Sequence, residues 1–293
     1  MHRRLGVLVG QGAAAVLLLL TGCGGPDTAA SSGTASATAS SPGTSAAPSL
    51  EGSFDVGGHS LAMSCWGTGS PTVVYLHGFI DDPAGGGATN AGEIPSLLAP
   101  KVRVCTYDRA NVGSSGKSAG RQTGADSIRD LHALLSAADV PPPYVLLGAS
   151  FGGLLASMYA ASHPADVRGM VLLDASLPDD LDVERRIVGA TVLPPPGWQE
   201  AVEQIDQAAT YREAQALVRN LLAIPVTYLA TKTIDLPPSY PAAELTAAIR
   251  QTQQTFLHRF SPGRLELVDA PHYMEPEIPD RIATEVQAVI ATG

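Results

Sequence analysis

Short runs of consecutive apolar residues alternate along most of the chain with stretches whose apolar residues recur at helical spacing. Uninterrupted apolar runs are typical of parallel strands that are buried on both faces, and the helical spacing is that of amphipathic helices. This alternation predicts an α/β protein with a mostly parallel sheet and helices on both of its faces. The strands are predicted at residues 72–76, 102–107, 144–147, 170–173, 226–229 and 265–268.

Two stretches between the strands have readable features. Residues 177–224 carry no strand pattern, only helical stretches on either side of prolines 194–196. We interpret this segment as a small helical lid inserted between two strands. A helix is also predicted after Asp126, which we assign as its N-cap, because apolar residues recur at helical spacing from Ile128 to Leu135.

The N-terminal part of the chain reads as an export signal. Residues 5–20 form an apolar run behind two arginines, shorter than the roughly 20 residues that a membrane span needs but suited to a secretory signal. The run ends in the tetrad Leu20-Thr21-Gly22-Cys23, which resembles the lipobox of bacterial lipoproteins. This resemblance implies that residues 1–22 are removed and that Cys23 is lipidated, which would anchor the exported protein to the outer face of the cell membrane. An ordinary signal peptide with an incidental cysteine is the alternative.

A tether is predicted behind Cys23. Residues 24–49 contain only Gly, Ala, Ser, Thr and Pro apart from Asp27. Such a segment has nothing large to bury and therefore cannot offset the entropy lost on ordering. We predict a disordered linker over residues 23–50 and a folded domain over residues 51–293.

The charge and the number of cysteines indicate which kinds of ligand the protein does not bind. The formal net charge is −10, and no basic run is present to neutralise phosphates, which argues against binding of nucleic acid. The 3 cysteines are too few for a disulfide-built scaffold, and none has the CxxC spacing of a metal site. We predict no cofactor and no metal, a small-molecule substrate, and a monomer.

One motif carries a candidate nucleophile. Gly148-Ala149-Ser150-Phe151-Gly152 has the form G-x-S-x-G, follows the strand at 144–147 and precedes a helical stretch. A serine on a sharp turn of this kind needs neighbours without side chains, so that strand and helix can approach each other. The motif predicts that Ser150 is a nucleophile exposed above the carboxyl edge of the sheet, beside a helix N-terminus.

A serine nucleophile needs a base, and 7 histidines are available. Only His272 lies in a loop that directly follows the last strand and precedes the last helix, and parallel sheets collect their active groups at the carboxyl ends of strands. We therefore predict His272 as the base.

The chain over residues 51–293 resembles the α/β-hydrolase family. Strand 72–76 leads into His77-Gly78-Phe79, similar to that family's HG-x turn, and residues 107–115 resemble its DR-x-G-x-G-x-S loop, with Asn111 where glycine is usual. Asparagine tolerates a positive φ better than other non-glycine residues. The resemblance implies an oxyanion hole formed by the backbone N–H groups of Phe79 and Phe151, a structural His77, and a lid between the family's sixth and seventh strands.

The resemblance leaves two candidates for the acid that orients the base. Asp235 is near the family's commoner acid position, after strand 226–229, but the usual G-x-x-D turn is missing there; we favour Asp174, at the end of strand 170–173.

The family's fold also bears on two cysteines. In this fold the strand of Cys65 lies beside that of Cys105, and an exported chain meets an oxidising compartment. The pair is therefore expected to form a disulfide, two isolated thiols being the alternative.

Together these features predict a serine hydrolase that cleaves a carboxylic ester, or a related acyl bond, through an acyl-enzyme. Peptidases, thioesterases, C–C hydrolases and cofactor-free haloperoxidases share the same Ser, His and acid set. A lipoprotein that uses the pocket only to bind a ligand is a further alternative.

Overall fold

The computed structural model describes residues 47–80, 82–189, 202–219, 223–234, 236 and 238–293. The strands within these residues are β1 (Leu50–Asp55), β2 (Ser60–Trp66), β3 (Thr72–Leu76), β4 (Val104–Tyr107), β5 (Tyr144–Ala149), β6 (Val167–Leu173), β7 (Val226–Thr231) and β8 (Gly263–Val268). The helices are α1 (Gly87–Ala91), α2 (Ile94–Leu98), α3 (Gly124–Ala137), α4 (Phe151–Ser162), α5 (Asp180–Val188), α6 (Gln207–Leu217), α7 (Ala242–Leu257) and α8 (Pro279–Thr292).

The eight strands form one sheet in the order β1-β2-β4-β3-β5-β6-β7-β8. Strands β3 to β8 pair in parallel, whereas β2 pairs antiparallel with β1 and with β4. The predicted mostly parallel sheet with helices is confirmed, and each predicted strand overlaps one of β3 to β8. The overlap is least complete at residues 102–107, because β4 begins only at Val104.

The uninterrupted apolar runs arise because the central strands pack on both faces. All five residues of β3 are buried, and the four apolar ones alternate between two cores. Val73 and Tyr75 pack in the core that includes residues of α2 and α8, whereas Val74 and Leu76 pack in the core that includes residues of α3 and α4. A strand with a core on each side is therefore apolar at nearly every position.

The edge strand β1 and its neighbour β2 were absent from the set predicted by hydrophobic runs. Exposed and partly buried residues alternate along β1, and partly buried and buried residues alternate along β2. Such alternation is typical of antiparallel strands with one face near solvent, and it gives no continuous run. β1 also begins at Leu50, the last residue of the predicted linker.

The N-cap predicted for the helix after residue 123 is wrong by three positions. The cap of α3 is Thr123, whose hydroxyl accepts from the N–H of Asp126, while the Asp126 carboxylate accepts from the N–H of Thr123 at 2.9 Å. Asp126 therefore acts as the third helical residue of a capping box rather than as the cap.

The segment over residues 177–224 lies between β6 and β7, the sixth and seventh strands, as predicted. Its described part contains α5 and α6, so the predicted helical character is also found. Ile205 forms an isolated parallel bridge with Gln122, which joins this segment to the chain just before α3.

None of the helices in the described parts of the chain is long and apolar enough to cross a membrane. The predicted signal over residues 1–22, the lipidation site Cys23 and the linker up to residue 46 lie outside the described residues. Those assignments therefore stay predictions.

Cys65 and Cys105 form a disulfide between β2 and β4. The two residues lie directly opposite each other in the antiparallel register, and their Sγ atoms are 2.05 Å apart. The bond joins positions that are 40 residues apart along the chain. On the chain-entropy account, a cross-link over such a loop stabilises the folded state by about 4 kcal/mol.

The double variant Cys65→Ser/Cys105→Ser is expected to lower the free energy of unfolding by about 4 kcal/mol, because its unfolded chain is no longer constrained. Urea unfolding followed by circular dichroism measures this change. Cys23→Ser, which removes the remaining cysteine, serves as the control and should leave the midpoint unchanged. A double variant as stable as the wild type would contradict the expectation.

Candidate active site

Ser150 lies in a strained turn between β5 and α4. Its φ of 49° and ψ of −121° form a combination that residues other than glycine rarely adopt. Neighbouring backbone holds it there: the N–H of Ser150 donates to the carbonyl of Leu173, and its carbonyl accepts from the N–H groups of Gly153 and Ser176, each at 2.9 Å. These bonds connect the turn to the end of β6 and hold the partly exposed serine at the edge of the sheet.

The glycines of the motif are needed for close approach. A Cβ atom on Gly152 would lie 2.0 Å from the carbonyl oxygen of Leu76, and one on Gly148 would lie 2.7 Å from the Cα of Gly153. The start of α4 is therefore packed directly against the ends of β3 and β5. This is the spacing that the G-x-S-x-G motif predicts.

His272 and Asp174 are in contact. The Nδ1 of His272 lies 2.8 Å from Oδ2 of Asp174. The other carboxylate oxygen of Asp174 accepts from the N–H of Thr231, at the end of β7, at 3.2 Å. The carboxylate is thus held by the neighbouring strand while it engages one imidazole nitrogen, which leaves Nε2 as the nitrogen that can exchange a proton. The alternative acid, Asp235, lies outside the described residues.

The strand register brings the predicted residues to one edge of the sheet. Ala149 pairs with Leu173 across β5 and β6, so Ser150 and Asp174 each come directly after a paired residue. His272 follows β8 and reaches Asp174 from the other side of β7. The carboxyl ends of parallel strands therefore gather the predicted nucleophile, base and acid in one region.

The contact with Asp174 affects the titration of His272. The hydrogen bond that Nδ1 of His272 donates to the Asp174 carboxylate raises the pKa of His272 above its ordinary value of 6.5, and partial burial of the ring opposes this rise. The His272 side chain is 49% exposed and that of Asp174 is 19% exposed, so solvent reaches the imidazole more readily than the carboxylate. A carboxylate in this position stabilises the imidazolium form.

The two residues with the predicted oxyanion donors lie close to Ser150. A Cβ atom on Gly78, the residue before Phe79, would lie 3.3 Å from the Cβ of Ser150, so the turn after β3 approaches the serine closely. The rings of Phe79 and Phe151 stack, with their centroids 4.0 Å apart. Within the described chain, neither of these two residues donates its backbone N–H in a hydrogen bond. Two unused donors are thus available beside the serine.

His77 has a structural environment, as the resemblance implies. It is fully buried, its Nδ1 lies 2.7 Å from the carbonyl oxygen of Gly78, and its Nε2 accepts from the N–H of Arg109 at 3.3 Å. Burial, together with the charge of Arg109, holds the pKa of His77 well below its usual range. The imidazole is therefore neutral, with both nitrogens used by the backbone.

Asn111 has a φ of 75°, so it adopts the left-handed conformation that the family usually gives to glycine. Its side-chain Nδ2 donates to the carbonyl of Glu203 at 2.9 Å, a contact that glycine lacks.

Two buried charged residues near the site were missed by the sequence analysis. Arg109 and Glu203 form an ion pair next to the turn at residues 77–80. Arg109 lies in the loop that resembles the family's DR-x-G-x-G-x-S motif, and its position in that motif could have marked it as a functional residue. Glu203 lies in the segment without any readable motif, so no sequence signal pointed to it.

A cavity of about 190 Å³ borders the His272–Asp174 pair. It is also lined by Asp180 and Glu184 of α5, and burial raises the pKa of Asp180 to about 8. The space beside the candidate base therefore has an acidic wall that the segment between β6 and β7 provides.

The described residues contain one group of side chains with the spacing of metal ligands, formed by His132, His163 and Asp166. His163 follows the C-terminal end of α4, whereas Ser150 precedes its N-terminal end, so this group is not part of the candidate site. The two imidazole rings also stack in parallel, 4.1 Å apart, which keeps their in-plane lone pairs from converging on one ion.

Comparison with known proteins identifies the fold. Residues 71–210 match the family model of the alpha/beta hydrolase fold. An uncharacterized protein of Bacillus subtilis (strain 168), YqjL, is 36% identical over 114 residues, which are 39% of this chain and 38% of that protein. The pimeloyl-[acyl-carrier protein] methyl ester esterase of Yersinia enterocolitica is 32% identical over 119 residues, which are 40% of this chain and 41% of the esterase. The chain thus spans well under half of the length of these two relatives.

Among solved structures, a meta-cleavage product hydrolase (CumD) is similar with a TM-score of 0.61 and 17% sequence identity, over 83% of this chain and 98% of that one. At this identity the likeness concerns the fold. The family match, the eight-stranded sheet and this structural similarity agree: the protein has the α/β-hydrolase fold.

Proposed function

We propose that the protein is a serine hydrolase that cleaves a carboxylic ester, or a related acyl bond, through an acyl-enzyme. Ser150 is the nucleophile, His272 the general base, and Asp174 the carboxylate that orients the imidazole. The observation that carries this proposal is the 2.8 Å contact between His272 and Asp174, at the sheet edge where Ser150 occupies its strained turn.

The acylation step begins when the Oγ of Ser150 attacks the ester carbonyl carbon and Nε2 of His272 takes the serine proton. The carbonyl oxygen becomes an oxyanion, which the N–H groups of Phe79 and Phe151 stabilise. Asp174 stabilises the imidazolium that forms. The tetrahedral intermediate then collapses: the bond to the alkoxy oxygen breaks, the leaving alcohol takes the proton from His272, and the acyl group remains on Ser150.

The deacylation step repeats this chemistry with water. His272, neutral again, accepts a proton from a water molecule that attacks the acyl carbon, and the same two N–H groups receive the second oxyanion. The bond to Oγ breaks and Ser150 regains its proton from His272. The net reaction consumes one water and releases an acid and an alcohol.

An ester is favoured over other acyl substrates by the similarity to the pimeloyl-[acyl-carrier protein] methyl ester esterase of Yersinia enterocolitica. The similarity to a meta-cleavage product hydrolase concerns the fold and is compatible with several reactions of the same three residues. The His272–Asp174 pair borders a cavity of about 190 Å³, which is smaller than the roughly 300–1,000 Å³ of typical ligand pockets and so has room for only part of a small-molecule substrate.

We propose further that the protein is exported and anchored through lipid on Cys23. The apolar run that ends in Leu20-Thr21-Gly22-Cys23 supports this assignment. The Cys65–Cys105 disulfide supports it independently, because structural disulfides persist mainly in oxidising compartments. Lipidation would hold the folded domain at the outer face of the membrane through the predicted linker.

A fluorophosphonate probe is expected to label the wild type and to fail on Ser150→Ala, because the probe reacts only with an activated serine hydroxyl. In-gel fluorescence measures the labelling. Ser176→Ala, which removes a neighbouring hydroxyl, is the matched control and should label like the wild type. A folded wild type that does not react would indicate a binding protein instead of a hydrolase.

Hydrolysis of a p-nitrophenyl ester is expected to fall as the pH drops through the raised pKa of His272, because the protonated imidazole cannot accept the serine proton. In Asp174→Asn that pKa should fall, so the acid limb of kcat/KM should move to lower pH. Activity on the plateau should drop by about 10⁴-fold, since the imidazole loses its orienting carboxylate.

The matched control is Asp235→Asn, which changes the alternative acid position. Its pH profile and activity should equal those of the wild type. A large loss in Asp235→Asn, with Asp174→Asn nearly unaffected, would reverse the assignment of the acid.

Cys23→Ala is expected to move the exported protein from the membrane fraction to the soluble fraction, because the acyl chains have no thiol to modify. Fractionation after metabolic labelling with an alkynyl fatty acid measures both the location and the lipid. Gly24→Ala serves as the control and should stay lipidated. A Cys23→Ala protein that remains in the membrane would refute lipid anchoring.

A further inference from the structure

Arg109 and Glu203 form a two-pronged ion pair that is closed to solvent. The Nε of Arg109 donates to Oε2 of Glu203 at 2.7 Å, and Nη2 donates to Oε1 at 2.9 Å. The side chain of Arg109 is 3% exposed and that of Glu203 is 0% exposed. Arg109 follows β4, whereas Glu203 belongs to the segment between β6 and β7, so the pair joins two distant parts of the chain.

The remaining donors and acceptors of this pair bind the turn that contains Phe79. Nη1 of Arg109 donates to the carbonyl of His77 at 2.6 Å, and Nη2 donates to the carbonyl of Gly78 at 2.5 Å. On the other side, Oε1 of Glu203 accepts from the N–H of Ile80 at 2.6 Å. The backbone is thus held immediately before and immediately after Phe79.

These contacts determine the direction of one particular N–H group. The carbonyl of Gly78 and the N–H of Phe79 belong to the same planar trans peptide, in which they point in opposite directions. Arg109 and the Nδ1 of His77 both hold the Gly78 carbonyl, at 2.5 and 2.7 Å. The Phe79 N–H must therefore point away from the ion pair.

Stability alone is a poor reason for such a pair. Removing two charges from water costs several kcal/mol, and apolar residues of similar volume often replace a buried ion pair without loss of stability. The guanidinium also lies 5.5 Å from the centre of the Phe151 ring, so it contacts Phe151 as well as the peptide that carries the N–H of Phe79. The contacts of the pair therefore converge on the oxyanion site.

We propose that Arg109 and Glu203 are positioning residues that orient the N–H of Phe79 toward the oxyanion of the reaction. This inference rests on the proposed function, because it assumes that Ser150 attacks a carbonyl. Neither side chain touches the substrate: Arg109 acts through the Gly78–Phe79 peptide, and Glu203 acts through Arg109 and through the N–H of Ile80.

Arg109→Lys keeps the positive charge but cannot make the two parallel hydrogen bonds to Glu203. Glu203→Gln keeps the shape of the side chain but removes its negative charge. We measure kcat and KM for a p-nitrophenyl ester and for its thionoester, in which sulfur replaces the carbonyl oxygen and accepts hydrogen bonds weakly. In both variants kcat for the ester should fall by about 10- to 100-fold. This decrease is no larger than the one expected when an oxyanion donor is removed altogether. KM and the rate with the thionoester should change little, so the preference for oxygen over sulfur should collapse.

Glu285→Gln is the matched control. Glu285 is also a buried acid paired with arginine, since its Oε1 accepts from Arg281 at 2.9 Å, but it lies on α8 and makes no hydrogen bond to the turn at 77–80. This control should lower the melting temperature while leaving the oxygen-to-sulfur preference of the wild type intact. A purely structural pair at Arg109 and Glu203 would behave in the same way.

Asn111→Gly is a milder variant for the case in which the ion-pair variants do not fold. It removes the amide that holds the carbonyl of Glu203 and keeps a residue that tolerates the positive φ. It should reduce the oxygen-to-sulfur preference in the same direction by a smaller factor.

An unchanged preference in every folded variant of this set, with a lower melting temperature, would overturn the positioning role and leave the proposed function intact. A wild type that hydrolyses neither ester and does not react with a fluorophosphonate would overturn the proposed function, and the positioning role with it. Loss of the preference in the variants, with the Glu285→Gln control unchanged, supports the inference.

Discussion

The turn at Ser150 depends on the close approach of three strand ends. The start of α4 touches the end of β3 so closely that Gly152 has no room for a side chain, and the backbone of β6 supplies the hydrogen bonds that hold Ser150 at a positive φ. A residue with a strained backbone conformation persists only where the surrounding contacts hold it in that conformation. The packed parallel sheet supplies that constraint, so the exposed hydroxyl is a consequence of the core.

The same sheet edge sets the electrostatics of the site. Asp174 follows β6, is fastened to the end of β7 by Thr231, and holds one nitrogen of His272. The turn after β3 is held by the buried ion pair of Arg109 and Glu203. The carboxylate of Asp174 and the turn after β3 are therefore tied to strands, whereas the serine and the imidazole are partly exposed. Such preorganisation is the means by which fixed dipoles stabilise a charge that appears only in the transition state.

Features that depend on local pattern could be predicted from the chain alone. The parallel strands could be predicted because a strand with a core on each face is almost entirely apolar. The serine turn could be predicted because its glycines leave room for strand and helix to approach closely. Thr123 was missed as the cap of α3, because Thr123 and Asp126 both have side chains that cap helices and only their mutual hydrogen bonds show which one begins the helix. The edge strand β1 was missed because half-exposed residues leave no continuous apolar run.

The class of fold, the candidate nucleophile and base, and the expected pairing of Cys65 with Cys105 could be predicted from the sequence, since each follows from spacing or from a resemblance carried by short motifs. Two contacts become visible only in the folded chain: the carboxylate of Asp174 with His272, and Glu203 with Arg109 beside the turn at Phe79. Both contacts join residues far apart in sequence, since Asp174 and His272 are separated by 98 residues and Arg109 and Glu203 by 94. Contacts over such distances are set by how strands pair and helices pack, which no local pattern records.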